Sequence, residues 1–315
     1  MNNIIDFNIK TYLDSLPEDT EKIDVSNKGI NYLDLTRFKN LKLLYCYDNQ
    51  LTSLQLNKKL ENLSCSNNQL TSLYLNENLK ELFCSNNKLT SLHLNENLKE
   101  LYCDYNQLTS LQLNENLKEL YCYHNQFSSL HLNEKLEKLY CFDNELTSLQ
   151  LNKNLQILNC CNNHLTSLQL NENLKELYCN YNQLIFLQLN ENLQILNCSN
   201  NYLTSLHLNE NLKELYCNYN QLTSLQLNEK LETIYYHHNP IYEIINSRDI
   251  NIINQKMQVL HNFMYLYYCL KFKKKFRYWL WEIIREPKIR KRYSHDYLIE
   301  NLHEDTDLDE LLNNW

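Results

Sequence analysis

The stretch Leu98 to Asn116, LKELYCDYNQLTSLQLNEN, decides the reading of the whole chain, because it recurs with small changes on both sides of itself. Aligning Leu41, Leu60, Leu79, Leu98, Leu117, Leu136, Leu155, Leu174, Leu193, Leu212 and Leu231 gives a strict 19-residue period. Each unit reads L-x-x-L-x-C-x-x-N-x-L-T-S-L-x-L-N-x-x. A looser, 21-residue unit, Thr20 to Asn40, precedes them, with Ile23, Val25, Ile30, Leu33 and Leu35 in the apolar places. The last unit drifts: Tyr236 replaces the cysteine, Pro240 follows Asn239, and Ile241 and Ile244 replace leucines. Drift at both ends predicts terminal, capping coils.

Within one unit the x-L-x-C-x stretch alternates apolar and polar residues, which predicts a short strand with one face buried. A lone strand of that size cannot stand in water, so each coil must lay its apolar face on the next. Six inward places per coil, leucine at five and cysteine at one, are expected to form continuous columns. Parallel strands about 4.8 Å apart give eleven such coils a face roughly 50 Å long.

Composition agrees with a biased, repetitive chain. Its 315 residues (38.1 kDa) include one glycine, no alanine, 50 asparagines and 24 tyrosines. Asn, Lys, Ile and Tyr have AT-rich codons, which points to an AT-rich genome. A net charge of -8 argues against wholesale nucleic-acid binding. Met1 to Asp6 carries neither a basic nor a long apolar segment of the signal-peptide kind. The densest apolar run, Phe263 to Leu270, is too short to span a membrane, so no transmembrane segment is expected. The expectation is an intracellular protein, not a secreted one, with its cysteines reduced.

L-x-x-L-x-C-x-x-N-x-L resembles the defining segment of leucine-rich repeats, over residues 20 to about 245, and L-T-S-L-x-L-N resembles the short half of bacterial-type repeats. The resemblance implies a repeat solenoid: a leucine-rich-repeat horseshoe with a concave parallel β-sheet, a mostly non-helical convex side and, in most members, binding on the sheet. Residues 1–19 are then an amino-terminal cap, 20–245 a solenoid of about twelve repeats, and 246–315 a helical carboxy-terminal cap and tail. The chain also resembles leucine-rich-repeat proteins of giant, mimivirus-like DNA viruses, sharing the terminal segment Asp305 to Trp315. That resemblance implies a viral protein in the host cytoplasm.

The internal columns read as structural. Ten cysteines at the sixth place, Cys46 and Cys65 through Cys217, point one way along a straight ladder and cannot converge on zinc. Asn49, Asn68, Asn87 and onward to Asn239 are expected to bond backbone groups where each coil turns, as the family's asparagine ladder implies. The column Asn57 to Asn228 and Thr-Ser pairs such as Thr52-Ser53 suit turns held by side-chain to backbone bonds.

The outward columns carry the site hypothesis. The fifth place holds Tyr45, Phe83, Tyr102, Tyr121, Tyr140, Tyr178, Tyr216 and Tyr235, interrupted by Ser64, Asn159 and Asn197. Two places earlier lie Glu81, Glu100 and Glu119, with Glu176 and Glu214 further on; two places later lie Tyr123 and Phe142. Tyrosine brings large contact area at low entropic cost, and an acidic, aromatic band should prefer a basic or amphipathic segment of a protein partner. The other reading is cross-strand stacking that only stiffens the sheet. The patch of Tyr102, Tyr121 and Tyr140, with Tyr105, Tyr123, His124 and Phe142 beside it, is the expected centre. Cys161 is the one outward thiol of the array, either reactive or incidental. Adjacent His237 and His238 project apart on a strand, so no metal site is expected.

Beyond Ile245 the period stops. Asp249 to Trp281 reads as helix, with Ile252, Ile253, Met257, Leu260, Phe263, Met264, Tyr267 and Leu270 at helical spacing, expected to cover the open end of the solenoid. Ser294 and Thr306 could cap two further short helices. Lys271 to Arg292 is strongly basic; Lys273, Lys274, Lys275, Arg277, Lys288, Arg290, Lys291 and Arg292 form an alternative patch for nucleic acid or an anionic surface. Asp296 to Glu310 is acidic and could instead fold over it.

No enzyme is expected, and no cofactor. The chain has no G-x-x-x-x-G-K, G-x-G-x-x-G, H-E-x-x-H or G-x-S-x-G, and one glycine cannot build a phosphate loop. Some bacterial leucine-rich-repeat effectors carry a ubiquitin-ligase Cys-x-Asp; here Cys269 is followed by Leu270 and Lys271, which departs from that pattern. The reading is a non-enzymatic protein-interaction module, with the basic patch, or a structural part of a virion, as alternatives.

Overall fold

The computed structural model describes residues 7–247 and 249–288. The chain divides into two compact units, with the boundary between Asn254 and Gln255.

The first unit opens with α1 (Ile9–Asp14), capped by Asn8, whose side chain accepts the Thr11 N–H at 3.0 Å. Twelve three-residue strands follow: β1 (Lys22–Asp24), β2 (Leu43–Tyr45), β3 (Asn62–Ser64), β4 (Glu81–Phe83), β5 (Glu100–Tyr102), β6 (Glu119–Tyr121), β7 (Lys138–Tyr140), β8 (Ile157–Asn159), β9 (Glu176–Tyr178), β10 (Ile195–Asn197), β11 (Glu214–Tyr216) and β12 (Thr233–Tyr235). They form one parallel sheet in chain order. The register never slips: Glu100 pairs with Glu119, Leu101 with Leu120 and Tyr102 with Tyr121, and every other junction repeats this alignment.

Leucines at the first, fourth and eleventh places and cysteines at the sixth are buried throughout, and leucines at the fourteenth nearly so. The expected sixth inward place is not one. Leu56, Leu75, Leu113, Leu132 and their equivalents at the sixteenth place are only half-buried. Leu113 and Leu132 line a shallow surface groove together, so this leucine covers the seam between coils instead of entering the core. The Thr-Ser pairs also differ from expectation: Thr52 and Ser53 are exposed, and among the described residues the pairs form no side-chain hydrogen bond.

Asparagine does the work of the turns. Asn163 donates from Nδ2 to the carbonyls of Cys141, Cys160 and Cys161 at 3.1, 3.2 and 3.1 Å, and its Oδ1 accepts the Leu146 N–H at 2.9 Å. One buried amide thus satisfies backbone groups of two coils, and the pattern recurs from Asn68 to Asn239. At the opposite corner the seventeenth-place amides donate to the coil before, as Asn152 does to the Leu136 carbonyl at 3.0 Å. Its Oδ1 also accepts the Leu155 N–H at 2.8 Å, whereas the oxygens of Asn133, Asn171, Asn190 and Asn228 are buried with no hydrogen-bond partner among the described residues.

The unit closes on α2 (Pro240–Ile245), which starts on the proline expected at a first helical turn and buries Ile241 and Ile245. Tyr236 fills the end of the cysteine column and donates its hydroxyl to the Ser247 carbonyl at 3.0 Å. A larger side chain is admitted there because no further coil follows.

Helix α3 (Ile250–Lys271) crosses the boundary, followed by α4 (Lys273–Trp279) and a π-helical stretch, Leu280–Arg285. The predicted helix is therefore broken at Phe272. Ile253 and Met257 are buried, but Phe263, Met264, Tyr267 and Leu270 are exposed. With Tyr265, Leu266 and Tyr268 the run Phe263 to Leu270 is apolar all round, so no single stripe can bury it all. The helices predicted from Ser294 and Thr306 lie outside the described residues.

Asn163→Ala removes an acceptor and three donations from a buried turn, each orphaned group costing about 1–3 kcal/mol. The substitution should lower the urea midpoint of the full chain by the equivalent of about 2 kcal/mol or more. An exposed control, Thr166→Ala, should leave the midpoint unchanged.

Candidate functional site

In-register stacking turns every outward place of the repeat into a row. In the fifth-place row, Phe83, Tyr102, Tyr121 and Tyr140 on β4 to β7 form one stack, with centroid separations of 4.5, 4.2 and 4.5 Å and interplanar angles of 19°, 8° and 6°. These separations are shorter than the strand spacing of about 4.8 Å, as expected for rings on the inside of a curve. Tyr216 and Tyr235 stack at 5.2 Å. Tyr45 stands beyond Ser64, with the Lys22 ammonium 5.2 Å from its ring centroid. Tyr178 has no ring partner among the described residues. Its neighbours in the row, Asn159 and Asn197, fold back on their own coils, each accepting a backbone N–H (Cys161 and Ser199) at 3.2 Å.

Alongside runs a row of carboxylates. Glu81, Glu100 and Glu119 lie on adjacent strands in register. Asn62 bonds Glu81 at one end, and Lys138 bonds Glu119 at 2.8 Å at the other. Glu100, in the middle, has no hydrogen-bond or ion-pair partner among the described residues. Burial, with Glu81 and Glu119 on either side, holds its carboxyl above the ordinary range. Burial likewise pushes the Tyr102 hydroxyl upward, and Tyr123, beside the Asp104 carboxylate, up to about 12.

The seventh and eighth places widen the patch. Tyr123 stacks on Phe142 at 4.1 Å, and Asp104 is buried, accepting the Ser85 hydroxyl at 2.7 Å. The eighth place is left-handed in every regular coil, with φ between 49° and 56° from Asp48 to His238. Sequence reasoning missed this column, although its Asn, Asp and His content is the usual mark of that conformation. Tyrosines at Tyr105, Tyr181 and Tyr219 are costlier there. Tyr105 and Tyr219 are covered by a stacked histidine, His124 at 4.3 Å and His238 at 4.1 Å, while Tyr181 is exposed with no ring partner among the described residues. His124 Nε2 also lies 2.9 Å from Asp143 Oδ2.

Thus Phe83, Tyr102, Tyr121, Tyr140, Glu81, Glu100, Glu119, Tyr123 and Phe142 lie on one continuous patch, whereas Tyr45, Tyr178, Tyr216 and Tyr235 lie outside the stack. Cys161 is held in its thiol form: its Sγ lies 2.6 Å from Asn180 Oδ1, and burial pushes it to about 12. The ladder thiols, such as Cys103 and Cys122, are pushed well above the ordinary range by burial and by one another. His237 packs against Tyr242, and no group of metal-binding donors occurs among the described residues. Outside this face, Ile185 and Phe186 stand 67% and 58% exposed where other coils carry Thr/Ser-Ser, a break in the repeat that the sequence displays. Lys273, Lys274, Lys275 and Arg277 are exposed on α4, as is Lys288; Arg290, Lys291 and Arg292 lie outside the described residues. Among the described residues no helix is long and apolar enough to cross a membrane.

A parallel sheet with one strand per coil, a buried asparagine at each turn and a mostly non-helical return define the leucine-rich-repeat fold, and solved structures of that fold match this chain. The functional domain of InlJ from Listeria monocytogenes, described as including a cysteine ladder, is 31% identical, with a TM-score of 0.69 over 76% of this chain. The chain spans 57% of that domain. YopM from Yersinia pestis, a leucine-rich effector protein, is 26% identical, with a TM-score of 0.58, over 73% of this chain and 80% of that one. The structure of an LRIM1/APL1C complex shares the fold at 20% identity and a TM-score of 0.60, over 91% of this chain and 68% of that one. No family model and no curated protein sequence matches the chain.

Two outcomes follow from the site's electrostatics. Because the Glu100 carboxyl is raised in the folded chain, its charged form opposes folding; that cost is absent in acid and appears as pH rises through the raised value. Glu100→Gln should therefore stabilise the protein at pH 7 by about half a kcal/mol, read from urea midpoints, with the difference vanishing in acid. At pH 8 a maleimide should leave Cys161 unmodified in the native chain, by peptide mass spectrometry, and label it in urea.

Proposed function

We propose that the chain is a non-enzymatic interaction module that binds a protein partner on the concave Tyr/Glu face. The stack from Phe83 to Tyr140, with Tyr123 and Phe142, would be its centre. The observation that carries this reading is the pairing of an aromatic stack with a carboxylate ladder that works against stability. Like charges held in register on neighbouring strands are destabilising. A repeat that needed only to stack could place at Glu100 the lysine it carries at Lys138, relieving the repulsion. Residues that break a local rule without compensation cluster where a protein functions. Half-buried tyrosines beside carboxylates suit a basic or amphipathic segment, whose cations would neutralise the ladder while its apolar stems lie on the rings. Proteins of this fold include an effector and a member of a two-protein complex, which supports the class of function and leaves the partner open.

A second reading is binding of nucleic acid or an anionic surface through the exposed lysines of α4. Salt separates the two, since phosphate-driven binding collapses between about 50 and 200 mM salt while aromatic burial persists. A viral origin, as the resemblance of the tail implies, would put the protein in a host cytoplasm with its thiols reduced; a virion structural role would show as abundance in purified particles.

Affinity purification from host-cell lysate at about 200 mM salt should recover a protein partner with the native chain. A Tyr102→Ala, Tyr121→Ala, Tyr140→Ala variant of unchanged circular dichroism should lose it. Recovery of the same partners by both chains would overturn the concave-face reading.

A further inference from the structure

The fifth-place row has two gaps that resemble each other. Tyr140, Asn159, Tyr178, Asn197 and Tyr216 follow one another on β7 to β11, so that ring and amide alternate. Where no gap intervenes, successive rings stack nearly parallel at 4.2 to 5.2 Å. Two coils therefore place Tyr140 and Tyr178 about 9 Å apart along the row, and Tyr178 and Tyr216 likewise. Each gap is one ring wide. The asparagine side chains do not fill it, because each is folded back onto a backbone N–H of its own coil.

The charge beside the gaps is specific. Glu176 stands in register between Ile157 and Ile195, and Glu214 between Ile195 and Thr233. Neither carboxylate has an ion-pair partner among the described residues. They accept only from tyrosines of the row: Tyr178 Oη lies 3.5 Å from Glu176 and Tyr216 Oη 3.2 Å from Glu214. The nearby cation, Lys138, is turned the other way, onto Glu119. The same row also shows a cation seated on one of its rings, where the Lys22 ammonium lies over Tyr45.

We propose that the gaps at Asn159 and Asn197 are two slots, each taking an arginine guanidinium from an extended basic segment of the protein partner. A guanidinium is planar, like the missing ring, stacks on aromatic faces and pairs with carboxylates, whereas an ammonium needs no such slot. The two slots are about 9 Å apart, matching three residues of polyproline II at about 3.1 Å each. Alternate residues of a β-strand, about 6.6 Å apart, are too close. The segment thus runs along the solenoid axis with arginines at every third residue. Nucleobases would also stack between tyrosines, but the carboxylates repel the phosphates that accompany them. This inference rests on the concave-face reading above and narrows its partner.

The probe is a short fluorescent proline-rich peptide with two arginines three residues apart, followed by anisotropy with the full chain at about 150 mM salt. The native chain should bind it. Replacing both arginines by lysine, or moving them two residues apart, should weaken binding about tenfold. Asn159→Tyr with Asn197→Tyr completes the ring row with the residue neighbouring coils already carry, and should abolish binding while leaving the urea midpoint in place. Glu176→Gln, which changes no buried group, should weaken binding several-fold and flatten its salt dependence. No binding by the native chain, equal binding by the lysine peptide, or undiminished binding by the ring-filled variant would each overturn the slots. So would an oligothymidylate that binds the native chain more tightly than the peptide and is lost from the ring-filled variant. If the ring-filled variant still captures a protein partner that the Tyr102, Tyr121, Tyr140 alanine variant loses, the slots fail and the face stands; if both variants capture it, both readings fail.

Discussion

The structure depends on a buried asparagine that closes the inner turn of each coil. A leucine-rich coil can bury its apolar side chains by stacking, but the backbone that bends at the end of each strand has carbonyl and N–H groups that no strand pairs. Asn163 and its equivalents reach three carbonyls and one N–H across two coils. Because each amide bridges a coil to its neighbour, the turns are locked to the same repeat as the leucines. A shift of register would orphan several buried polar groups at once.

That lock has consequences on the outer face. Coils that cannot slip place identical residues side by side, so a favourable side chain becomes a stack and an unfavourable one becomes a ladder of repulsion. Phe83 to Tyr140 shows the first and Glu81 to Glu119 the second, on the same three-residue strands. Departures from the consensus then carry meaning through their neighbours. Asn159 is unremarkable alone, but between Tyr140 and Tyr178 it is a gap of defined width. Tyr236 is a large residue in a cysteine column, and it fits because it ends that column.

The solenoid, its parallel sheet and its leucine and cysteine columns were legible from the period alone, since a fixed repeat admits few ways to bury its apolar places. The rows facing outward were also legible, because alternation on a strand assigns each residue to a face. The sixteenth-place leucine was misassigned, as periodicity reports that a side chain is apolar and not whether the corner of the coil carries it to the core or the seam. The left-handed eighth place went unseen because a chain with one glycine has Asn, Asp, His and even Tyr adopt that conformation. The α3 stripe failed for a different reason: its run Phe263 to Leu270 is apolar on all sides, so no pattern names a buried face there.

The sequence by itself determined which residues repeat, and therefore which must share a column, because period and alternation are properties of the chain. Only the tertiary structure decided what the columns do once assembled. Ring separations, the burial that raises Glu100 and Tyr123, the turning of Lys138 towards Glu119 and away from the gaps, and the folding back of Asn159 and Asn197 all depend on distances between coils. Those distances are set by the packing of every coil at once, and no single repeat contains them.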